Sequence, residues 1–276
     1  MDTPDIFDRR ARRTRRDRAA RDYHRFDFLR GAMLDGIAER LGAVTRDFGD
    51  VAELGCFDGI LPVPAGGRVL RIDAGGRFAA MAGGIQADED RLPVADASVD
   101  LVLSAGVLDS VNDVPGALAL IRRALRPDGL FLGAFVGGGS LATLRTALAA
   151  AEPGRAVART HPMIDVRAAG DLLLRAGFAL PVADSEPLTV RYGDLFGLFR
   201  DLRGMAAGNV LADRVPLTRA AIMAVAAAFA DRADPDGRIA ERFDLIFMTG
   251  WAPAPGQPQP ARRGSATASL ASALLG

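Results

Sequence analysis

Apolar residues fall at two periods along this chain, and the change between them predicts its architecture. Phe26, Phe28, Leu29, Met33, Leu34, Ile37 and Leu41 recur at helical spacing and predict an amphipathic helix against a core. From residue 51 the pattern becomes short apolar runs, of strand rather than helix length. Val51–Leu54 and Arg68–Asp73 are two such runs, and Val99–Ser104, behind the Asp96-Ala-Ser turn, is another. Val114–Leu125 reads as a helix, with Leu118, Ile121 and Leu125 on one side and Pro127-Asp-Gly129 as its stop. Leu130–Val136 follows as a buried strand. A helix over Val166–Ala176 is ended by Gly177 and leads to strands near Phe178–Val182 and Leu188–Tyr192. Helical stretches over Gly193–Met205 and Leu217–Asp231 precede a last strand, Phe243–Thr249.

Strands alternating with helices imply βαβ units. The predicted fold class is therefore α/β: a Rossmann-like, doubly wound, mostly parallel sheet. Residues 1–45 are expected to form an N-terminal helical segment and 46–252 the main domain, with a helical insertion at about 193–235 before the last strand. The Pro-, Gly- and Ser-rich stretch 253–276 is expected to be a disordered tail.

Composition narrows the function classes. With 276 residues, 49% hydrophobic and 25% charged, the chain resembles an ordinary globular protein, and no apolar run is long enough for a transmembrane span. The arginine-rich start has no apolar core of a secretory signal, and a single cysteine, Cys56, excludes an internal disulfide framework. A cytoplasmic location is expected. His24 and His161 are the two histidines, too few for a histidine-based metal site, and none is expected. Net charge is zero, which gives no electrostatic case for nucleic acid. Ten arginines nevertheless lie between Arg9 and Arg30, interrupted by Asp17, Asp22 and Asp27. They read either as a nucleic-acid arm or, the favoured reading, as a solvated helix laced with Asp–Arg pairs one turn apart.

Chemistry is announced by Glu53-Leu-Gly55-Cys-Phe57-Asp-Gly59, an acid and glycine turn closing the first strand. Glycine suits such a turn because backbone must approach a ligand without a Cβ in the way. Asp73 ends the second strand, where a carboxylate can accept from both hydroxyls of a ribose. Asp88 and Glu89 follow the expected third strand, and an acid there can accept from an adenine amino group. Ser104 ends the next strand. The ordered set, Glu53, Gly55, Cys56, Phe57, Gly59, Asp73, Asp88, Glu89 and Ser104, is the expected cofactor site. Asp109 is a candidate general base, although a capping or turn role is preferred. Tyr192, Phe196 and Phe199 beside Arg200 and Arg203 read as a helix stripe, or else as a lid on an acceptor pocket. Cys56 is expected to pack at the core edge.

The spacing Glu-x-Gly-x-x-x-Gly resembles motif I of the class I S-adenosylmethionine (SAM) methyltransferases, and residues 88–136 look like the core of a type 11 methyltransferase. More narrowly, the chain resembles the mitochondrial complex I assembly factor 5 family and its bacterial relatives. That likeness is carried by Ile6-Phe-Asp-Arg9, Ser140-Leu with Leu144-Arg145, Leu202-Arg-Gly-Met205 and the Arg263-Gly-Ser-Ala-Thr267 tail. The resemblance implies SAM as cofactor and a protein substrate, an iron–sulfur subunit of respiratory complex I. It also implies hydroxylation of an arginine rather than methylation. Three departures touch the cofactor side. Phe57 replaces a motif I glycine; Pro62, Pro64 and Gly66-Gly67 occupy the expected first helix; and Asp109-Ser110 stand where the family has a His-Trp pair. These departures give the alternative reading, a non-catalytic relative serving as an assembly scaffold.

Overall fold

Val51 to Leu54 are apolar or buried at every position because a central parallel strand is covered on both faces. The computed structural model describes residues 5–61, 67–154 and 157–257. Its elements are α1 (Arg9–Ala19), α2 (Phe28–Gly42), β1 (Asp50–Leu54), β2 (Arg68–Asp73), α3 (Gly76–Met81), β3 (Ile85–Gln86), β4 (Val99–Ala105), α4 (Val114–Ala124) and β5 (Leu125–Val136). There follow α5 (Ala142–Ala151), α6 (Val166–Arg175), β6 (Ala179–Tyr192), α7 (Leu195–Gly204), α8 (Arg219–Ala230) and β7 (Ile239–Trp251).

The strands form one seven-stranded sheet in the order β3-β2-β1-β4-β5-β7-β6. All neighbours are parallel except β7, which runs antiparallel to β5 and β6. The expected doubly wound α/β sheet is what forms. The chain turns back between β1 and β4, the place where such folds bind ligands. Register completes the arrangement: Leu54 pairs with Ile72 on one side and Ser104 on the other. The Gly55 turn, Asp73 and Ser104 therefore share one edge of the sheet.

Two apolar layers hold the sheet. Met33 and Ile37 of α2, Leu144 of α5, Leu198 of α7 and Phe229 of α8 pack with Leu101, Leu103 and Leu132. Leu118 and Ile121 of α4 and Leu173 of α6 pack with Val102, Phe131 and Ile246. Gly36 lets α2 lie close on β7, since a Cβ there would sit 2.5 Å from Phe247 Cζ.

Two predicted elements differ from the observed ones. The segments near 178–182 and 188–192 are one strand, β6, although Pro181 and Pro187 lie in it. The strand is at the sheet edge, where proline's missing N–H is harmless, and a register shift between Ala179 and Val182 absorbs the irregularity. Arg126-Pro127-Asp128-Gly129 likewise belongs to β5, which begins directly where α4 ends. The helix-hostile segment at 62–66 and the tail beyond 257, including Arg263–Thr267, lie outside the described residues. Between Gly55 and Leu61 the chain forms turns, with no helix.

Candidate functional site: a nucleotide cleft filled by arginines

The turn after β1 is built as its glycines demand. Gly55 has φ +71°, and a Cβ on it would run into Val107; Gly59 has φ +79°. The N–H groups of Gly55 and Cys56 both donate to the Ile72 carbonyl, at 2.8 and 3.1 Å. Phe57, where the motif has a glycine, keeps a glycine's backbone with φ +47°. A side chain in that region costs about 1–2 kcal/mol. The ring offsets this by packing. It stacks on Tyr23 with centroids 4.7 Å apart and meets Phe78 edge-on at 5.0 Å. Guanidinium carbons of Arg16 and Arg30 lie 4.1 and 4.9 Å from its centroid. Phe57 is therefore the centre of a small aromatic core in the cleft. Cys56 beside it is fully buried, and desolvation pushes its thiol up to about 12, so it packs rather than reacts.

The acids expected to hold a nucleotide are all at this edge, and all meet arginine. Arg9, Arg12, Arg13 and Arg16 stand at i, i+3, i+4 and i+7 and so form one ridge of α1. Arg16 forks onto Asp73, with Nε 2.7 Å from Oδ1 and Nη2 2.5 Å from Oδ2. The Gly75 and Phe57 N–H groups donate to the same two oxygens, at 2.7 and 3.1 Å. Arg12 forks onto Glu89 at 2.7 and 3.0 Å, and its Nε donates to Ser110 Oγ. Arg13 reaches Asp88 at 2.6 Å and Arg9 reaches Asp90 at 2.6 Å. This corrects the expectation of a solvated helix: Arg12 and Arg16 are buried, and their partners are distant acids rather than helix neighbours. The spacing of the ridge was visible in the sequence; its target was not.

Glu53 is also claimed. Arg30 of α2 donates to it at 3.0 Å and Arg71 of β2 at 3.2 Å. Burial pushes the Glu53 carboxyl up to about 7 while those two cations pull it down. Arg30 also bonds Asp58 and the Cys56 carbonyl. Two buried oxygens at the cleft have no hydrogen-bond partner: Asp88 Oδ1 and Ser104 Oγ.

On the other face of α1 lies a cavity of about 1060 Å³, between the sheet edge, α5 and α7. Asp109, in a short 3₁₀ turn after β4, stands in its wall, and burial raises its carboxyl above the ordinary range. Of the capping or turn roles preferred for Asp109, the turn is the one it occupies; the cap of α4 is Asp113, which accepts from the Gly116 N–H at 2.8 Å. Phe199 packs against the core as a stripe residue would, and with Arg200 and Arg203 it also lines the cavity. Phe196 is exposed, and Tyr192 is buried at the end of β6.

A methyltransferase-domain family model matches residues 52–133. "Arginine-hydroxylase NDUFAF5, mitochondrial" of Danio rerio is 32% identical over 286 residues, covering 96% of this chain and 88% of that protein. This chain belongs to the NDUFAF5 family. A malonyl-[acyl-carrier protein] O-methyltransferase of Xylella fastidiosa is 39% identical, but over only 61% of this chain and 57% of its own. Among solved structures, a putative methyltransferase from Bacillus halodurans superposes with TM-score 0.54 at 14% identity, covering 80% of this chain and 99% of that one, a likeness of fold.

The methyltransferase domain of this NDUFAF5-family chain implies SAM, and the cleft can be tested against it. An ionised carboxylate offers about four lone-pair sites. Those of Asp73 are taken by Arg16 twice, Gly75 and Phe57, which leaves none for two ribose hydroxyls. The Phe57 and Tyr23 rings further fill the turn. In this arrangement the residues do not fit the cofactor. No group of three or more metal-ligating side chains occurs among the described residues. No helix there is long and apolar enough to cross a membrane.

Proposed function

We propose that this NDUFAF5-family protein serves the assembly of respiratory complex I by binding a protein partner, with its nucleotide cleft closed by its own first helix. The observation that carries this reading is the Arg16 fork on Asp73, backed by the Phe57 ring. A guanidinium and a ribose cannot share that carboxylate. The partner expected from the family likeness is an iron–sulfur subunit, and a chain with a single cysteine suits a reducing compartment such as the cytoplasm.

A second reading has a specific observation behind it. Asp88 Oδ1 and Ser104 Oγ are buried in the cleft without a hydrogen bond, Asp88 Oδ1 with only Arg12 at 3.9 Å, as groups kept for a ligand would be. With α1 withdrawn, Asp73, Asp88 and Glu89 would be released for SAM and for modification of a protein side chain, while Glu53 keeps Arg30 and Arg71. Calorimetry separates the two. The binding reading expects no heat from SAM at millimolar concentration with the full chain. Micromolar SAM binding by the full chain, lost on Asp73→Ala, establishes the second reading and removes the first.

A further inference from the structure

The cavity beyond α1 has a polarity of its own, independent of whether the nucleotide cleft is used. Six arginines and three aspartates line it, an excess of cations in a chain whose net charge is zero. Two of the arginines are committed: Arg159 forks onto Glu152, with both bonds at 2.7 Å, and Arg214 meets Asp8 at 3.0 Å. The other four, Arg15 and Arg18 of α1 and Arg200 and Arg203 of α7, form no ion pair with a carboxylate of the described residues. Arg15 is half-buried, and desolvation with repulsion from Arg214 and Arg18 disfavours its charge. Arg18, Arg200 and Arg203 are exposed at the opening, and an anion bound among the four would relieve their mutual repulsion. Asp8 is already committed to Arg214, burial pushes the Asp109 carboxyl upward, and Asp22 is exposed, so the cations outnumber the acids around the space.

The remaining wall is apolar. Leu29, Leu144, Leu148, Met163, Leu217 and Phe243 line the same space. A volume of about 1060 Å³ is that of a small-molecule site rather than a bed for a folded partner. We infer that this cavity binds an amphiphilic anion, a carboxylate- or phosphate-headed molecule. Its head meets Arg15, Arg18, Arg200 and Arg203, and its apolar body lies along the leucines of α5.

Calorimetry of the full chain with decanoate, decyl phosphate and decyltrimethylammonium tests this. At least one of the anions is expected to bind saturably, with a Kd at least tenfold below that of the cation. A carboxylate preference points to an acyl carboxylate, and a phosphate preference to a phosphate headgroup. Arg200→Ala/Arg203→Ala alters exposed positions of α7 and is expected to weaken the anion at least tenfold. Arg175→Ala, outside the cavity, should leave it unchanged. Leu148→Trp, which fills the apolar wall without touching charge, should also weaken it. Equal binding of anion and cation, absence of saturable anion binding, or an unchanged Kd in the double arginine variant each overturns the inference.

Discussion

Arg16 and Asp73 lie 57 residues apart and meet through two parallel hydrogen bonds of 2.7 and 2.5 Å, both side chains almost without exposed surface. Breaking such a pair leaves a buried charge alone, which costs about 3–5 kcal/mol. Arg16→Met is therefore expected to destabilise the chain by about that amount in urea unfolding. Arg16→Met with Asp73→Asn should recover much of the loss, because neither partner is then left charged. A single-variant loss below about 1 kcal/mol would show that the pair is solvated in solution.

Phe57 pays for a glycine's backbone with its ring contacts. Phe57→Ala loses the ring and keeps the strained φ of +47°, whereas Phe57→Gly loses the ring and relaxes the strain. Both should destabilise, by about 3–5 kcal/mol for the alanine. Glycine should be the milder by about 1 kcal/mol, the reverse of the usual order. Thermal melts of the two proteins side by side decide it, and alanine as the more stable variant would count against the conformation.

His161 gives the chain an acid-sensitive contact. Its Nε2 accepts from the Val210 N–H at 3.0 Å, so the folded state needs the neutral ring. Burial, with Arg15 and Arg12 nearby, lowers its pKa from 6.5 to about 4. Between those values the unfolded chain takes up a proton that the folded chain refuses, so stability falls as pH falls from about 6.5 toward 4. The loss attributable to this ring is up to about 3 kcal/mol. His161→Gln cannot titrate and should show a shallower fall of Tm over that window; identical slopes would remove His161 as the cause.

Asn112 latches the start of α1. Its side chain accepts from the Phe7 N–H at 2.7 Å and donates to the Phe7 carbonyl at 3.0 Å, while Asp8 N–H bonds the Val210 carbonyl. Asn112→Ala should cost about 1–3 kcal/mol and loosen α1 ahead of the sheet. Hydrogen exchange resolved by peptide is the check: faster exchange confined to the α1 region is expected, and a uniform increase across the chain is not.

The sheet and the site's acids were legible for a shared reason. Buried strands are written as short apolar runs, and the residues at their ends, Gly55, Asp73 and Ser104, are placed by register alone. What closes the cleft was not legible, because it depends on contacts of 57 to 81 residues' separation. Asp17 and Asp22 offered the arginines local partners, and charge spacing within one helix cannot say that Asp73 and Glu89 compete better. The gap expected between Val182 and Leu188 of β6 has a different cause: Pro187 reads as a strand breaker until its place at an edge is known. Phe57 stood out as a substitution, but its ring's neighbours, Tyr23 and Phe78, come from separate elements.

Helix α1 is a party wall. Its ridge of Arg9, Arg12, Arg13 and Arg16 closes one compartment, and Arg15 and Arg18 face another. A molecule that draws those outer arginines toward itself acts on the same rigid rod that holds the inner ones. Whatever factor occupancy of one compartment imposes on affinity in the other must be returned in equal measure. Two rooms that share one wall cannot be furnished independently.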